Sequence, residues 1–230
     1  MVQRKLLMTT EQIEILAGLK KIDSIYGIRN VKREIEKADG KYYKNNCIYS
    51  EIISMLNKEW LVYERKDGKQ YIGMSKSISE IFENIKNASS VIIINSFLKR
   101  KSSICCYING SNIVLMESFE GDKKIRIFKT NKEDFLIYLC ERGYIIKPLR
   151  TEDIKNNINI NTLAKHLPQQ KISDITFLKN EESVALYEII FKNGKRFLAD
   201  KLSEKEEEYS FHRMKKIIRE KSGWRYRNDK

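Results

Sequence analysis

The sequence predicts an α+β fold: two halves share one antiparallel sheet, each half is a β-meander followed by a helix, and further helices lie at the N-terminus. Short β-rich runs separated by turn residues occur between residues 90 and 130. A second set follows a polar connector, between residues 171 and 202. A helical segment follows each set. This repeated order suggests that the two meanders pair edge to edge, with helices on one face and the other face open.

The N-terminal region reads as helical. Thr9 followed by Gln12 is a capping-box pattern, and Ile13 and Leu16 continue an apolar stripe. A polar stretch from residue 26 to 46 follows, with Gly40 as its expected stop.

The next segment predicts a helix, a hairpin and another helix. Apolar residues recur at helical spacing from Ile48 to Leu56. Asp67-Gly68 is typical of a tight hairpin turn. Ser75 or Ser77 is then expected to cap a helix with one apolar face, formed by Ile78, Ile81, Phe82 and Ile85.

Four β-rich runs follow, beginning with SVIIINSF and ending with KKIRIFKT. Asn131 and Gly143 are expected to begin and end the helix that closes the first half. We therefore expect a single domain over 1–230, with pseudo-halves at 1–145 and 170–230. The connector at 146–169 contains both prolines and a short expected helix.

The second half contains KISDITFLK, SVALYEIIFK and KRFLADKL, joined by NEE and NG turns. We expect its closing helix to begin near Glu204, where a run of glutamates would complement the helix dipole. The sequence from Arg213 to Lys230 holds eight basic and two acidic residues. Its net charge of 8 − 2 = +6 is nearly half of the chain's +13.

Bulk properties indicate a cytoplasmic protein. No run approaches the roughly 18 apolar residues that a membrane-spanning helix needs, and the first residues, MVQRKLLMTTEQIEIL, lack a signal-peptide pattern. The four cysteines form no CxxC pair. Cys105 and Cys106 are adjacent in a predicted strand, so their thiols are expected to point to opposite faces.

The sequence offers no evident catalytic or cofactor site. Neither a phosphate-binding GxxxxGK[ST] nor a dinucleotide-binding GxGxxG motif is present. The two histidines, His166 and His212, lie far from every cysteine and are better explained as structural and solvent-exposed, respectively. We therefore expect no enzyme activity, no cofactor and no metal site.

The charge distribution leaves a nucleic-acid-binding regulatory protein open as the alternative. Such a protein would use the hairpin at 61–74 as a wing, together with the basic C-terminal helix. However, the helix before the hairpin is nearly neutral, which makes it a poor insert for a DNA groove. The expected basic surface comprises Arg213, Lys215, Lys216, Arg219, Arg225 and Arg227.

The order of elements resembles that of the EspG-type chaperones of type VII (ESX) secretion, and particularly their EsaE-like counterparts in Firmicutes. The segment LMTTEQIEILAGL is similar to that family's opening helix. The segment from IISMLNKEW to SSVIIIN is similar to its helix, hairpin and second helix, and SSICCYINGSNIVLMESFEGDKKIRIF to its meander. NKEDFLIYLCERG is similar to the helix closing its first half, and the residues from Lys171 onward fit its quasi-two-fold plan.

This resemblance implies a cytosolic, non-enzymatic chaperone or adaptor. Its partner would be a secreted helical protein, such as an effector of the WXG or LXG type, kept soluble for the secretion ATPase. The partner's apolar helical tip would lie on the open face of the sheet, since aromatic and large aliphatic residues supply most interface energy. The candidate anchors on the strands are Phe119, Ile125, Ile127, Tyr187, Ile189 and Phe191.

Overall fold

A computed structural model describes residues 5–23, 25–26, 46–97, 102–146, 169–180, 182–193 and 195–223. Five helices lie within these residues: α1 Thr10–Leu19, α2 Asn46–Asn57, α3 Lys76–Lys86, α4 Lys132–Glu141 and α5 Phe211–Lys221. The strands are β1 Leu6–Met8, β2 Leu61–Lys66, β3 Lys69–Met74, β4 Ser90–Ser96, β5 Ser102–Asn109, β6 Asn112–Phe119, β7 Ile125–Thr130, β8 Gln170–Lys179, β9 Glu182–Lys192, β10 Lys195–Asp200 and β11 Lys205–Glu208.

Nine strands form a single sheet in the order β1-β7-β6-β5-β4-β8-β9-β10-β11, and every neighbouring pair is antiparallel. The first meander, β4 to β7, therefore joins the second, β8 to β11, along the pair β4–β8. Each meander precedes one helix, α4 or α5. The predicted fold class, with two meander-plus-helix halves in one sheet, is confirmed.

Side chains alternate between two cores, one on each face of the sheet. Ile92 and Ile94 belong to the core beneath α4 and α5, whereas Val91 belongs to the core beneath α1, α2 and α3. Cys105 and Cys106 are buried in different cores, as their adjacency in a strand predicts. The central strands are consequently apolar on both faces.

The expectation that helices cover one face only is wrong. The buried residues of α1, α2 and α3 lie on one face and those of α4 and α5 on the other. The physical reason is the continuous apolar character of β4 to β7, which requires cover on both sides. None of the described helices is long and apolar enough to cross a bilayer.

The C-terminal glutamate run is a strand and not a helix start. Residues Lys205–Glu208 form β11, the edge strand beside β10, and α5 begins only at Phe211. Ser210 caps α5, accepting a hydrogen bond from the Arg213 backbone N–H. The short strand β1, which pairs with β7, is likewise absent from the sequence prediction.

Local capping signals are largely confirmed. Thr9 and Gln12 form the reciprocal capping box of α1, and Asn131 accepts bonds from two backbone N–H groups of α4. Ser75 occupies the cap position of α3 but makes no side-chain cap bond. Asp67 and Gly68 both have positive φ, as a tight hairpin turn requires.

A buried carboxylate fastens α4 to the sheet. Glu117 on β6 is fully buried, and it accepts hydrogen bonds from the hydroxyls of Tyr138 (2.8 Å) and Tyr144 (3.2 Å). The guanidinium groups of Arg126 and Arg142 lie 3.6 and 3.9 Å from its oxygens. This cluster connects β6 and β7 to the end of α4.

The connector beyond it, with Pro148, Pro168 and the short helix expected around His166, lies outside the described residues.

Candidate partner interface

On the sheet face that packs against α1, α2 and α3, the core lies almost entirely over the first meander, β4 to β7. The only β8–β11 residue in that core is Leu178 on β8. We call the adjoining surface on β8, β9 and β10 the open half-face. Its side chains, which share that face with Val91 and Ile93 by register, include two buried ones, Ile190 and Ala199. The others are partly exposed: Asp174, Thr176, Leu186, Glu188 and Phe197.

Ion pairs cross the open half-face from strand to strand. Asn95 Nδ2 donates to Asp174 Oδ1 over 2.7 Å. Lys171 Nζ lies 3.2 Å from Asp174 Oδ2 and 2.7 Å from Glu188 Oε1. Lys201 approaches the other oxygen of Glu188 at 3.5 Å. The hydrogen bond from Lys171 holds the pKa of Glu188 below its usual range, so this carboxylate stays charged in the folded protein.

Lysines also cover aromatic rings at the borders of this surface. Lys192 lies 4.8 Å from the ring centroid of Phe197 and pairs with Glu206 on the edge strand. Lys171 lies 5.2 Å from the ring of Phe97, which is itself exposed. The charged ends of these long side chains therefore lie over aromatic rings, so a partner that replaces an ion pair here would also contact apolar surface.

Four of the six predicted anchors fill the cores. Ile125 and Ile127 are buried beneath α1 to α3, and Tyr187 and Ile189 beneath α4 and α5. In the folded protein these side chains present almost no surface, and a partner could reach them only if the helices moved away. Phe119 and Phe191 are partly exposed: the Arg126 guanidinium lies 4.6 Å from the Phe119 ring centroid, and Phe191 packs against the core. Their role in partner binding stays a prediction.

The predicted basic surface lies partly on α5. Arg213 Nε is 2.8 Å from Glu207 Oε1, and Lys216 Nζ is 3.7 Å from Glu220 Oε1. These two cations are thus already paired with carboxylates, which reduces the field that α5 offers to a polyanion. Lys215 and Arg219 are half-buried on the same helix, and His212 is exposed there. Arg225 and Arg227 lie outside the described residues.

An apolar surface on α2 was not among the sequence predictions. Tyr49 is 75% exposed, Ile53 57% and Ile48 50%. The signal was present, because Glu51 is the only charged residue between positions 46 and 57 of a chain that is 33% charged. The hairpin of β2 and β3 follows α2. Its base, Leu61 and Met74, packs in the core, whereas residues 63–72 are exposed and extend beyond it.

The thiols of Cys105 and Cys106 are not poised to react as nucleophiles. Burial raises the pKa of the Cys105 thiol to about 12 and that of Cys106 well above its usual range. A thiolate is the reactive form of cysteine. Within the described ranges, no three histidine, cysteine, aspartate or glutamate side chains come together as a metal site.

Comparison with known proteins gives a likeness at the level of structure. No protein-family model matches the chain, and no curated protein matches it. Among solved structures, it is similar to the Mycobacterium tuberculosis type VII secretion system chaperone EspG5, in the structure of its complex with the PE25-PPE41 dimer. The match covers 85% of this chain and 86% of that chain, with a TM-score of 0.50 and 7% sequence identity. At this identity, the likeness shows a shared fold.

Proposed function

We propose that this protein is a non-enzymatic cytosolic chaperone or adaptor of type VII secretion, of the EsaE-like kind found in Firmicutes. It binds a helical tip of a secreted effector, or of the effector's small helical partner, and keeps it competent for the secretion ATPase. The observation that carries the proposal is the likeness to the chaperone EspG5, which extends over most of both chains. Fold alone does not determine function, so the surfaces of this chain must supply the rest.

The open half-face supports the proposal through its geometry. It is a broad sheet surface between the β4–β8 pair and the edge strand, with partly exposed Leu186 and Phe197 below a layer of lysines. A helix laid across it would bury these apolar side chains and could replace one member of an ion pair with its own charge. Such a contact would hold the partner while both proteins remain folded.

The test is recovery of the partner by the tagged full-length chain from its native cytosol, with identification by mass spectrometry. We expect a secreted helical protein, recovered by the wild type and lost from Lys171→Glu. Lys129→Glu is the matched control, because Lys129 is also a strand lysine paired with a carboxylate, Glu80, but lies on β7. Failure of the wild type to recover any secreted helical protein contradicts the proposal.

Salt dependence separates this function from the nucleic-acid alternative. Binding to DNA through phosphate contacts falls steeply between about 50 and 200 mM salt, by factors on the order of a thousand or more. A partner held by buried apolar groups with few ion pairs loses far less. Retention of duplex DNA with sequence preference at physiological salt would instead identify a regulatory protein.

A further inference from the structure

A cavity of about 270 Å³ lies where the C-terminal ends of α1 and α3 meet the strands β4, β5 and β8. Its apolar wall consists of four buried side chains, Ile85, Val91, Tyr107 and Leu178. The Tyr107 hydroxyl donates to the Tyr26 carbonyl over 3.1 Å, and its oxygen can still accept a hydrogen bond. At about 30 Å³ for each water molecule, the cavity has the volume of about nine waters, which suits a small organic molecule.

Exposed polar side chains form the rim of this cavity. They are Lys21, Asp23, Lys86, Ser89 and Asn180. Two ammonium groups against one carboxylate leave the rim with an excess of positive charge. Among the described residues, neither Lys21 nor Lys86 forms an ion pair, whereas the neighbouring Lys20 pairs with Glu83 over 3.3 Å. The two rim lysines are therefore available to an anion.

Lys21 occupies a backbone position that favours glycine. Its φ of 55° is left-handed, and two backbone hydrogen bonds close the end of α1 around it, from the Lys21 N–H to Gly18 and from the Ile22 N–H to Ala17. Helices that end in this way most often have glycine at the left-handed residue, because glycine has no Cβ to clash with the backbone. Closing the helix therefore does not require a lysine here, and the feature that its side chain shares with Lys86 is the cavity.

We propose that this cavity binds a small organic carboxylate, whose charged group meets the two rim lysines and whose apolar body lies against the buried wall. The lysines favour an anion over a neutral molecule of the same shape, and the apolar wall favours an organic anion over an inorganic one. The ligand would contact both halves of the sheet, since Tyr107 lies on β5 and Leu178 on β8. Its binding would therefore stabilise the native state against unfolding. This inference goes beyond the proposed function and does not depend on it.

Benzoate is the probe, because it combines a carboxylate with a small apolar ring. Titration of the isotope-labelled full-length protein, followed by NMR, should give saturable shifts of the backbone amides of Val91 and Asn180, which line the cavity. Benzamide, which has the same shape without the charge, should bind at least about threefold more weakly. Acetate, which lacks the ring, should bind at least about tenfold more weakly. No saturable shift of these amides with benzoate, or equal binding of either control compound, overturns the inference.

Two variants separate ligand binding from a structural role of the lysines. Lys86→Gln should weaken benzoate binding about two- to fivefold, as for loss of one exposed ion pair, whereas Lys76→Gln, at the other end of the same helix, should leave it unchanged. Lys21→Gly should weaken benzoate binding similarly but keep the thermal unfolding midpoint near that of the wild type, because glycine suits the left-handed backbone. Unchanged benzoate binding in both cavity variants would mean that these lysines only complement the helix ends, and it would overturn the inference. Partner recovery is a separate measurement, so its loss or retention tests the proposed function alone.

Discussion

Replacing Glu117 with leucine should destabilise the protein strongly, although leucine is apolar and the site is buried. The carboxylate has no solvent exposure and accepts from two tyrosine hydroxyls, while two arginines lie within 4 Å of it. Leucine would leave the hydroxyl of Tyr144, itself fully buried, without this acceptor. It would also leave Arg126 and Arg142, which are 30% and 37% exposed, without their anion.

The expected loss follows from these contacts. Breaking a buried ion pair by removal of one partner typically costs about 3–5 kcal/mol. The partial exposure of both arginines lets water compensate them, which places Glu117→Leu near the lower end, at about 3 kcal/mol. Glu117→Gln keeps one oxygen acceptor for a tyrosine, so its cost should be smaller, about 1–2 kcal/mol. The predicted order of stability is therefore wild type, then glutamine, then leucine.

Urea unfolding followed by circular dichroism measures this order through the free energy of unfolding. Glu141→Leu is the control, because Glu141 lies on α4 but is exposed, and its midpoint should remain near that of the wild type. A Glu117→Leu variant as stable as the wild type would refute the reasoning. It would mean that the charged cluster contributes no more than an apolar side chain of similar size.

Three further predictions concern titration, reactivity and capping. Burial raises the pKa values of Tyr138 and Tyr144 above those in the unfolded chain. Their contribution to the free energy of unfolding is therefore complete below the unfolded tyrosine pKa of about 10 and is lost as the pH rises above it. A urea midpoint that does not fall between pH 9 and 11 would contradict this. A thiol reagent should label Cys105 and Cys106 only after urea is added, as read by peptide mass, because both thiols are buried with raised pKa values; rapid labelling of the native protein would show an opening of the sheet. Asn131→Ala should lower the unfolding free energy by about 1 kcal/mol and Asn131→Asp much less, since Asn131 caps α4; equal losses for both would exclude capping as the cause.

Local chemistry predicted most elements of this fold because turns and caps act within a few residues. Gly68, Thr9 and Asn131 each mark a boundary that the structure reproduces. Residues 205–208 misled the prediction, because glutamates at a helix start are favourable, but pairing of this run with β10 prevails. Such pairing depends on tertiary context that local propensity does not contain.

The candidate surfaces were harder to predict for a related reason. Apolar residues on a strand, such as Ile127 and Ile189, look equally suited to a partner or to a core, and only the helix positions show that they are buried. The sequence shows α2 as a helix almost without charge, but it does not show which side of that helix is exposed. The hydrogen bond between Gln12 of α1 and Glu51 of α2, which holds one side of α2 toward α1, joins residues 39 positions apart.

The pairing of β4 with β8 has a consequence for the order in which the chain folds. β4 finds β5 across a short connection, whereas its other neighbour is distant, with Asn95 bonded to Asp174 79 positions later. Loop closure over such a separation slows folding. During synthesis, the residues of the first meander leave the ribosome before those of β8, because the chain emerges from its N-terminus onward. Until β8 pairs with it, β4 would be a sheet edge with the apolar sequence Val-Ile-Ile-Ile at residues 91–94. We therefore expect the nascent chain to be most prone to aggregation during that interval.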